Sequence, residues 1–162
     1  MSPNNRAKQR RGFTLVEVMI VVVILGILAA TVLPQFTAAN DDAKESALVQ
    51  DLQLMRSQVQ AFKFQHSGIY PGALATESFE DSMLKSSDED GTTGDIGTKP
   101  FGPYLIGSLP PNPINGFRTV TVVTDFATAA DDKTGWIYDS TTGQIKANST
   151  GTASDGRIYD EL

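Results

Sequence analysis

At 162 residues the chain is sized for one domain. Nineteen acidic residues against thirteen basic ones give a formal charge of −6, which argues against nucleic acid or an anionic membrane surface as partner. Cysteine is absent, histidine is single and no glycine-rich phosphate loop follows a strand, so no constellation for catalysis or for a disulfide framework is present.

Residues 1–12 are basic, with Arg6, Lys8, Arg10 and Arg11 and no acid. Positive charge just ahead of an apolar span holds that end in the cytoplasm and sends the remainder across the membrane. Without those residues, nine basic side chains face nineteen acids, a balance of −10 on the exported part. Residues 18–33 contain no charged side chain. A helix over 13–33 would be roughly 31 Å long, close to the hydrocarbon thickness of a bilayer. Val21, Val22, Val23 and Ile24 are modest helix formers in water, but in lipid the backbone must satisfy its own hydrogen bonds and helix wins. Gly26, Ala29 and Ala30 are small enough to let a second helix approach closely. Pro34 closes the run. It lacks an N–H and clashes with the carbonyl four residues back, which predicts a kink there or the helix's exit from the membrane.

Glu17 is the anomaly. It sets a carboxylate at the leading edge of the apolar run, where an ionised acid costs about 2.5–3.5 kcal/mol in a bilayer. A plain anchor or secretory signal peptide gains nothing from it. A cation inside the membrane would offset the penalty, and the nearest source is an α-amino group. A cut between Gly12 and Phe13 would create one at Phe13, and a neighbouring copy would offer the same amine across a helix contact.

Gly12-Phe13-Thr14-Leu15-Val16-Glu17, behind a short basic leader and ahead of a long apolar run ending at Pro34, resembles the processing site of type IV pilins and type II secretion pseudopilins. The resemblance implies cleavage after Gly12 by a membrane aspartyl peptidase and N-methylation of Phe13. It implies that Glu17 pairs with the Phe13 amine of a neighbour during filament assembly. The implied partners are further copies of this chain, other pilin-like subunits, the prepilin peptidase and methyltransferase, and an inner-membrane assembly machinery. No cofactor, nucleic acid or enzymatic activity of the chain itself is expected. Two plainer readings compete. A cleaved signal peptide needs a small-residue site, and Thr37-Ala38-Ala39 is a poor one. A signal anchor fits length and charge but leaves Gly12 and Glu17 without a reason.

From residue 36 the pattern turns amphipathic. Leu48, Leu52, Met55, Val59 and Phe62 recur at spacings of four, three, four and three, with Gln50, Asp51, Gln53, Arg56, Ser57, Gln60 and Lys63 opposite. Asn40, Asp41, Asp42, Lys44 and Glu45 make a solvated stretch before that stripe. The helix could continue unbroken from Phe13, roughly 80 Å in all. Ser67-Gly68 and then Pro71-Gly72 signal its end. His66 stands at that end, where a cation complements the dipole, and reads as a cap or an exposed side chain rather than a metal ligand or base. Gly68-Ile69-Tyr70-Pro71 resembles the Gly-x-Tyr-Pro turn that follows the long helix in many members of the same family.

A short helix over 76–84, capped by Thr76, brings in Phe79, Met83 and Leu84, and 86–98 reads as loop. Asp88-Glu89-Asp90-Gly91 invites a calcium reading but lacks the alternation and closing glutamate of an EF-hand. Prolines 110, 111 and 113 exclude a regular helix or central strand from 101–116. That segment resembles the Gly-Pro-Tyr-Leu…Leu-Pro-x-Asn-Pro stretch of pseudopilin-like proteins, with Tyr104, Leu105 and Leu109 pinning it to the core. Strands are predicted over 117–123, 135–139 and 143–147, the last two forming a hairpin around Ser140-Thr141-Thr142. Trp136 and Tyr138 would pack against the helix stripe. Residues 148–162 are small and polar until Ile158-Tyr159 and read as a mobile tail. Within them Asn148-Ser149-Thr150 matches a glycosylation triplet.

The whole reads as an α+β, pilin-like chain: a leader 1–12, a transmembrane and assembly helix 13–35, and a globular domain 36–162. In that domain the second half of the helix packs on a small antiparallel sheet. The resemblance implies a structural subunit of a type II secretion pseudopilus, bacterial and single-pass in the inner membrane. Its amino terminus would be cytoplasmic and its head periplasmic or carried in a surface filament. A surface adhesion or motility pilin and a signal-anchored periplasmic binding module are the alternatives. Many type IV pilins close a C-terminal loop with a disulfide, which this chain cannot form. Major pseudopilins often bind calcium near their C-terminal loops, which makes Asp125, Asp131, Asp132 and Asp139 candidate ligands, with solvated acids as the plainer reading.

Overall fold

A computed structural model describes residues 12–162, apart from the side chains of Leu33, Pro34 and Ala38. The leader expected over 1–12, with its four basic residues, lies outside the described residues except for Gly12. The chain divides into two compact units, 1–40 and 41–162. Helix α1 (Leu15–Gln65) begins in the first and ends in the second.

In the first unit the helix is apolar on all sides, and every side chain over 12–32 is exposed. Such a helix is stable only where lipid or other apolar surface covers it. It is long and apolar enough to cross a membrane. Position 34 lies inside α1. One turn earlier the Thr31 hydroxyl donates to the carbonyls of Ile27 and Leu28 at 3.3 and 3.0 Å, ahead of the turn where proline deprives the Ala30 carbonyl of its donor.

In the second unit the stripe does what its spacing implies. Leu48, Leu52, Met55, Val59 and Phe62 are all buried. The first four share one core with Phe79 and Met83 of α2 (Phe79–Leu84), Leu105 and Leu109, and the sheet residues Trp136, Tyr138, Ile145 and Ala147, while Phe62 packs its ring against Tyr104. Tyr104 packs at the margin of this core. The helix ends with Ser67 and Gly68 at φ 52° and 91°, and the Gly68 N–H bonds back to the Lys63 carbonyl at 2.9 Å, a left-handed C-terminal cap.

Helix α2 starts later than expected. Ser78, not Thr76, is its cap: the Ser78 hydroxyl accepts the Asp81 N–H at 2.9 Å. The stretch expected as loop after it contains a two-stranded ladder, β1 (Ser86–Ser87) against β2 (Thr93–Gly94), turned by Asp88-Glu89-Asp90-Gly91 with Gly91 at φ 86°.

The main sheet has the order β3 (Val120–Val123), β4 (Trp136–Asp139), β5 (Ile145–Ala147). Strands β4 and β5 form the expected antiparallel hairpin, with Trp136 opposite Ala147 and Tyr138 opposite Ile145. Strand β3 runs parallel to β4, in register from Val120↔Trp136 to Val123↔Asp139, so the sheet is mixed rather than wholly antiparallel. Parallel neighbours need a crossover about a dozen residues long, and 124–135 is that crossover. Strand periodicity alone does not reveal which way a chain returns.

His66 also departs from expectation. Four residues past Phe62, it continues the buried stripe and is fully buried. Its ring stacks on Phe62 at 3.7 Å, Nδ1 donates to the Phe62 carbonyl at 2.7 Å, and Nε2 meets Ser87 Oγ at 2.8 Å. The imidazole therefore ties the helix end to β1.

The tail is docked, not loose. Asn148, Ser149 and Ala153 are buried. Ser154 donates from its N–H and hydroxyl to the Glu45 carboxylate at 2.8 and 2.7 Å. Thr152 bridges Ile158, a 3₁₀ turn spans Tyr159–Glu161, and Asp160 pairs at 3.2 Å with Lys146, which is itself largely buried. Arg56 reaches the carbonyls of Ile145 and Leu162, each at 3.1 Å. The polar tail residues find partners far away in sequence, which composition cannot reveal.

Candidate processing and assembly site

The site is the start of α1. Gly12 is exposed, and among the described residues, its chain neighbours apart, no atom lies within 4 Å of where a side chain on it would begin. Phe13 is 84 % exposed.

Thr14 caps the helix. Its carbonyl accepts the first helical bond from Val18 N–H at 3.3 Å, and its hydroxyl accepts the Glu17 N–H at 3.2 Å. Glu17 answers: its Oε2 accepts the Thr14 N–H at 3.2 Å and the Thr14 hydroxyl at 3.3 Å. This is a reciprocal capping box of the Thr-x-x-Glu type. It satisfies N–H groups that lipid cannot, and it sets the carboxylate at the positive end of the helix dipole. Part of the cost of a carboxylate at the head of an apolar helix is thus offset within a single chain. The spacing of Thr14 and Glu17 ahead of the apolar run was the available signal, and a reading that looked only for an external cation missed it.

The four acids considered for calcium do not form a shared cage. Among the described residues no three His, Cys, Asp or Glu side chains gather closely enough to hold a metal. Asp125 accepts the Ala127 N–H at 2.9 Å. Asp139 accepts the N–H and hydroxyl of Thr141 at 2.8 and 2.6 Å and the Thr142 hydroxyl at 2.8 Å, which closes the β4–β5 turn. Asp131 and Asp132 face Asn148 and Thr150. In each case the carboxylate accepts hydrogen bonds from N–H or O–H groups of its own or a neighbouring loop. Asn112 and Asn115, which the sequence singles out for no role, and Asn148, which it offers only as the head of a glycosylation triplet, are structural amides bridging distant segments.

The comparisons with known proteins point the same way as the geometry. The family model for the prokaryotic N-terminal methylation motif matches residues 7–33. The type II secretion system core protein G of Pseudomonas aeruginosa is 35 % identical over 104 residues, covering 60 % of this chain and 72 % of that protein. The protein of the same name from Dickeya chrysanthemi is 32 % identical over 101 residues, covering 59 % and 65 %. A fimbrial protein of Dichelobacter nodosus is 31 % identical over 148 residues, covering 90 % of this chain and 71 % of its own length. No solved structure matches. With the methylation motif at its head, a capped apolar helix behind it and an α+β domain at its end, the chain belongs to the family of type IV pilins and type II secretion pseudopilins.

Proposed function

We propose that the chain is a structural subunit of a type II secretion pseudopilus. It is cut after Gly12, methylated on Phe13 and drawn from the inner membrane into a helical filament whose growth promotes protein export. The observation that carries this reading is the placing of Glu17 beside an exposed Gly12–Phe13 junction, at the head of a helix whose residues up to 32 are exposed on every side. A secretory leader has no use for the carboxylate, and a solitary anchor has no use for the junction. In the filament the Phe13 amine of one subunit meets Glu17 of the next, and the apolar halves of α1 cover one another while the heads stay outside. The chain is then single-pass, with its amino terminus cytoplasmic and its head periplasmic, and its partners are copies of itself, other pilin-like subunits, the peptidase and methyltransferase, and the assembly machinery.

A surface pilus is the second reading, favoured by the likeness to the Dichelobacter nodosus fimbrial protein over 90 % of this chain. Both readings share the processing step. Mass spectrometry of the N-terminal peptide from native membranes is expected to find it beginning at methylated Phe13. An intact Met1 in cells with an active prepilin peptidase would sink both and favour an anchored binding module. Electron microscopy of overproducing cells then separates short periplasmic filaments from long surface ones.

A further inference from the structure

The crossover 124–135 carries Asp125, Asp131 and Asp132 between the parallel strands β3 and β4 and is fixed without a disulfide. Its fastening is a set of amide and hydroxyl groups. Asn148, buried at the end of β5, accepts the Asp131 N–H on its Oδ1 at 2.7 Å. Its Nδ2 donates to Asp131 Oδ1 at 2.8 Å and to Thr134 Oγ1 at 2.7 Å. Its main-chain N–H donates to the Gly135 carbonyl at 2.9 Å, and its carbonyl accepts from Asn115 Nδ2 at 2.9 Å. Thr150 donates its N–H to Asp132 at 3.0 Å and its hydroxyl to the other oxygen of the same carboxylate. Asn112, also buried, donates to the Gly135 carbonyl at 2.7 Å and to Ser149 Oγ at 3.0 Å. Every polar atom of Asn148 has a partner, the condition under which a buried polar network rigidifies its surroundings.

We propose that this carboxylate–amide network closes the crossover in place of a divalent cation, and that the head domain holds its fold and stability without calcium. Calcium needs six to eight oxygens presenting free lone pairs. Asp131 Oδ1 is already shared between Asn148 Nδ2 and the Lys133 N–H, its Oδ2 lies 2.9 Å from the Lys133 ammonium, and each oxygen of Asp132 accepts from Thr150, so the donors and the ammonium compete with a cation for every one of these oxygens. A cation entering here would have to displace Asn148 and leave a buried amide without partners, an expensive exchange. The lowered pKa of Asp131, held at about 2 by Lys133 first and Asn148 second, accords with a carboxylate already served by donors.

The test is thermal unfolding of the full chain in detergent micelles, followed by the fluorescence of Trp136, in excess calcium chloride and in excess EGTA. The expected result is the same Tm in both. A specific ion at a hundredfold excess over its Kd would raise Tm by on the order of 5–10 °C, and such a rise, abolished in Asp132→Asn, would overturn the proposal. Asn148→Ala is expected to lower Tm by on the order of 5 °C in either buffer. Should that variant fail to fold, Thr150→Ala, at an exposed position, carries the same test with a smaller drop. An unchanged Tm in the variant that folds would equally overturn the proposal. The readout does not depend on filament assembly, so the secretion reading and this one stand or fall separately.

Discussion

Glu17 serves both as a hydrogen-bond acceptor and as a charge, and two substitutions separate those roles. Glu17→Gln keeps an acceptor for the Thr14 N–H, since glutamine also completes a capping box, but removes the charge that would meet a neighbour's amine. Thr14→Ala keeps the charge and loses the cap, at about 0.5–2 kcal/mol of local helix stability. Thr14→Ala is therefore expected to speed amide exchange over residues 14–18 in micelles while filaments still form. Glu17→Gln is expected to leave exchange nearly unchanged and to cut filament yield by on the order of tenfold or more, the scale set by stranding one member of a desolvated ion pair. Pull-down of sheared filaments beside exchange mass spectrometry reads both. Equal losses of filament in the two variants would mean that the cap, not the charge, governs assembly.

In its second half α1 divides its faces sharply. Leu52 is fully buried against the sheet, whereas Phe64, on the opposite face, is 89 % exposed. Leu52→Ala is expected to cost about 2–5 kcal/mol, the usual range for a buried leucine. Phe64→Ala should change stability by less than about 0.5 kcal/mol. Urea unfolding of the head reports both through Trp136, which is buried in the core with its indole N–H on the Pro110 carbonyl at 3.0 Å. Similar losses in the two variants would contradict the packing. At the β4–β5 turn, Gly143 sits at φ 73°, where a Cβ would come within 2.1 Å of the Tyr70 ring. The turn after the long helix and the hairpin thus lock together, with Tyr70 itself held by Lys63 at 2.8 Å.

For the molecule as a whole, the acids set how stability depends on pH. Donors lower the pKa of Asp131 to about 2, and the same direction holds at Asp139 through Thr141, at Asp155 through Arg157 and at Asp90 through Thr92. A carboxylate whose folded pKa lies below its unfolded value contributes stability that is complete above the unfolded value and lost as pH falls through the folded one. The head is therefore expected to be steady down to about pH 4 and to weaken from there toward pH 2. Asp51, raised by burial, acts in the opposite sense over its own range. Urea midpoints measured from pH 7 to pH 2 check this, and Asn148→Ala should flatten the lowest part of the curve. A midpoint that holds steady down to pH 2 would count against the network on Asp131.

What the sequence determined by itself is whatever depends on neighbours in the chain or on a repeating period. The charge-free run over 18–33 and the Glu17 ahead of it define a segment apolar enough to cross a membrane and its anomaly. The four-three-four-three spacing from Leu48 to Phe62 fixes which face of α1 is buried, and the strand pattern around Ser140-Thr141-Thr142 fixes the hairpin. The tertiary structure decided whatever depends on partners distant in sequence. The parallel placement of β3 follows from how the crossover returns, and strand propensity is blind to that direction. His66 looks like a polar helix end until Ser87, twenty-one residues later, comes to meet it. Residues 148–162 look mobile because they are small and polar, yet their polar groups pair with Glu45, Asp131, Asp132 and Lys146. A polar group is solvated or buried according to where its partner lies, and only the folded chain places that partner.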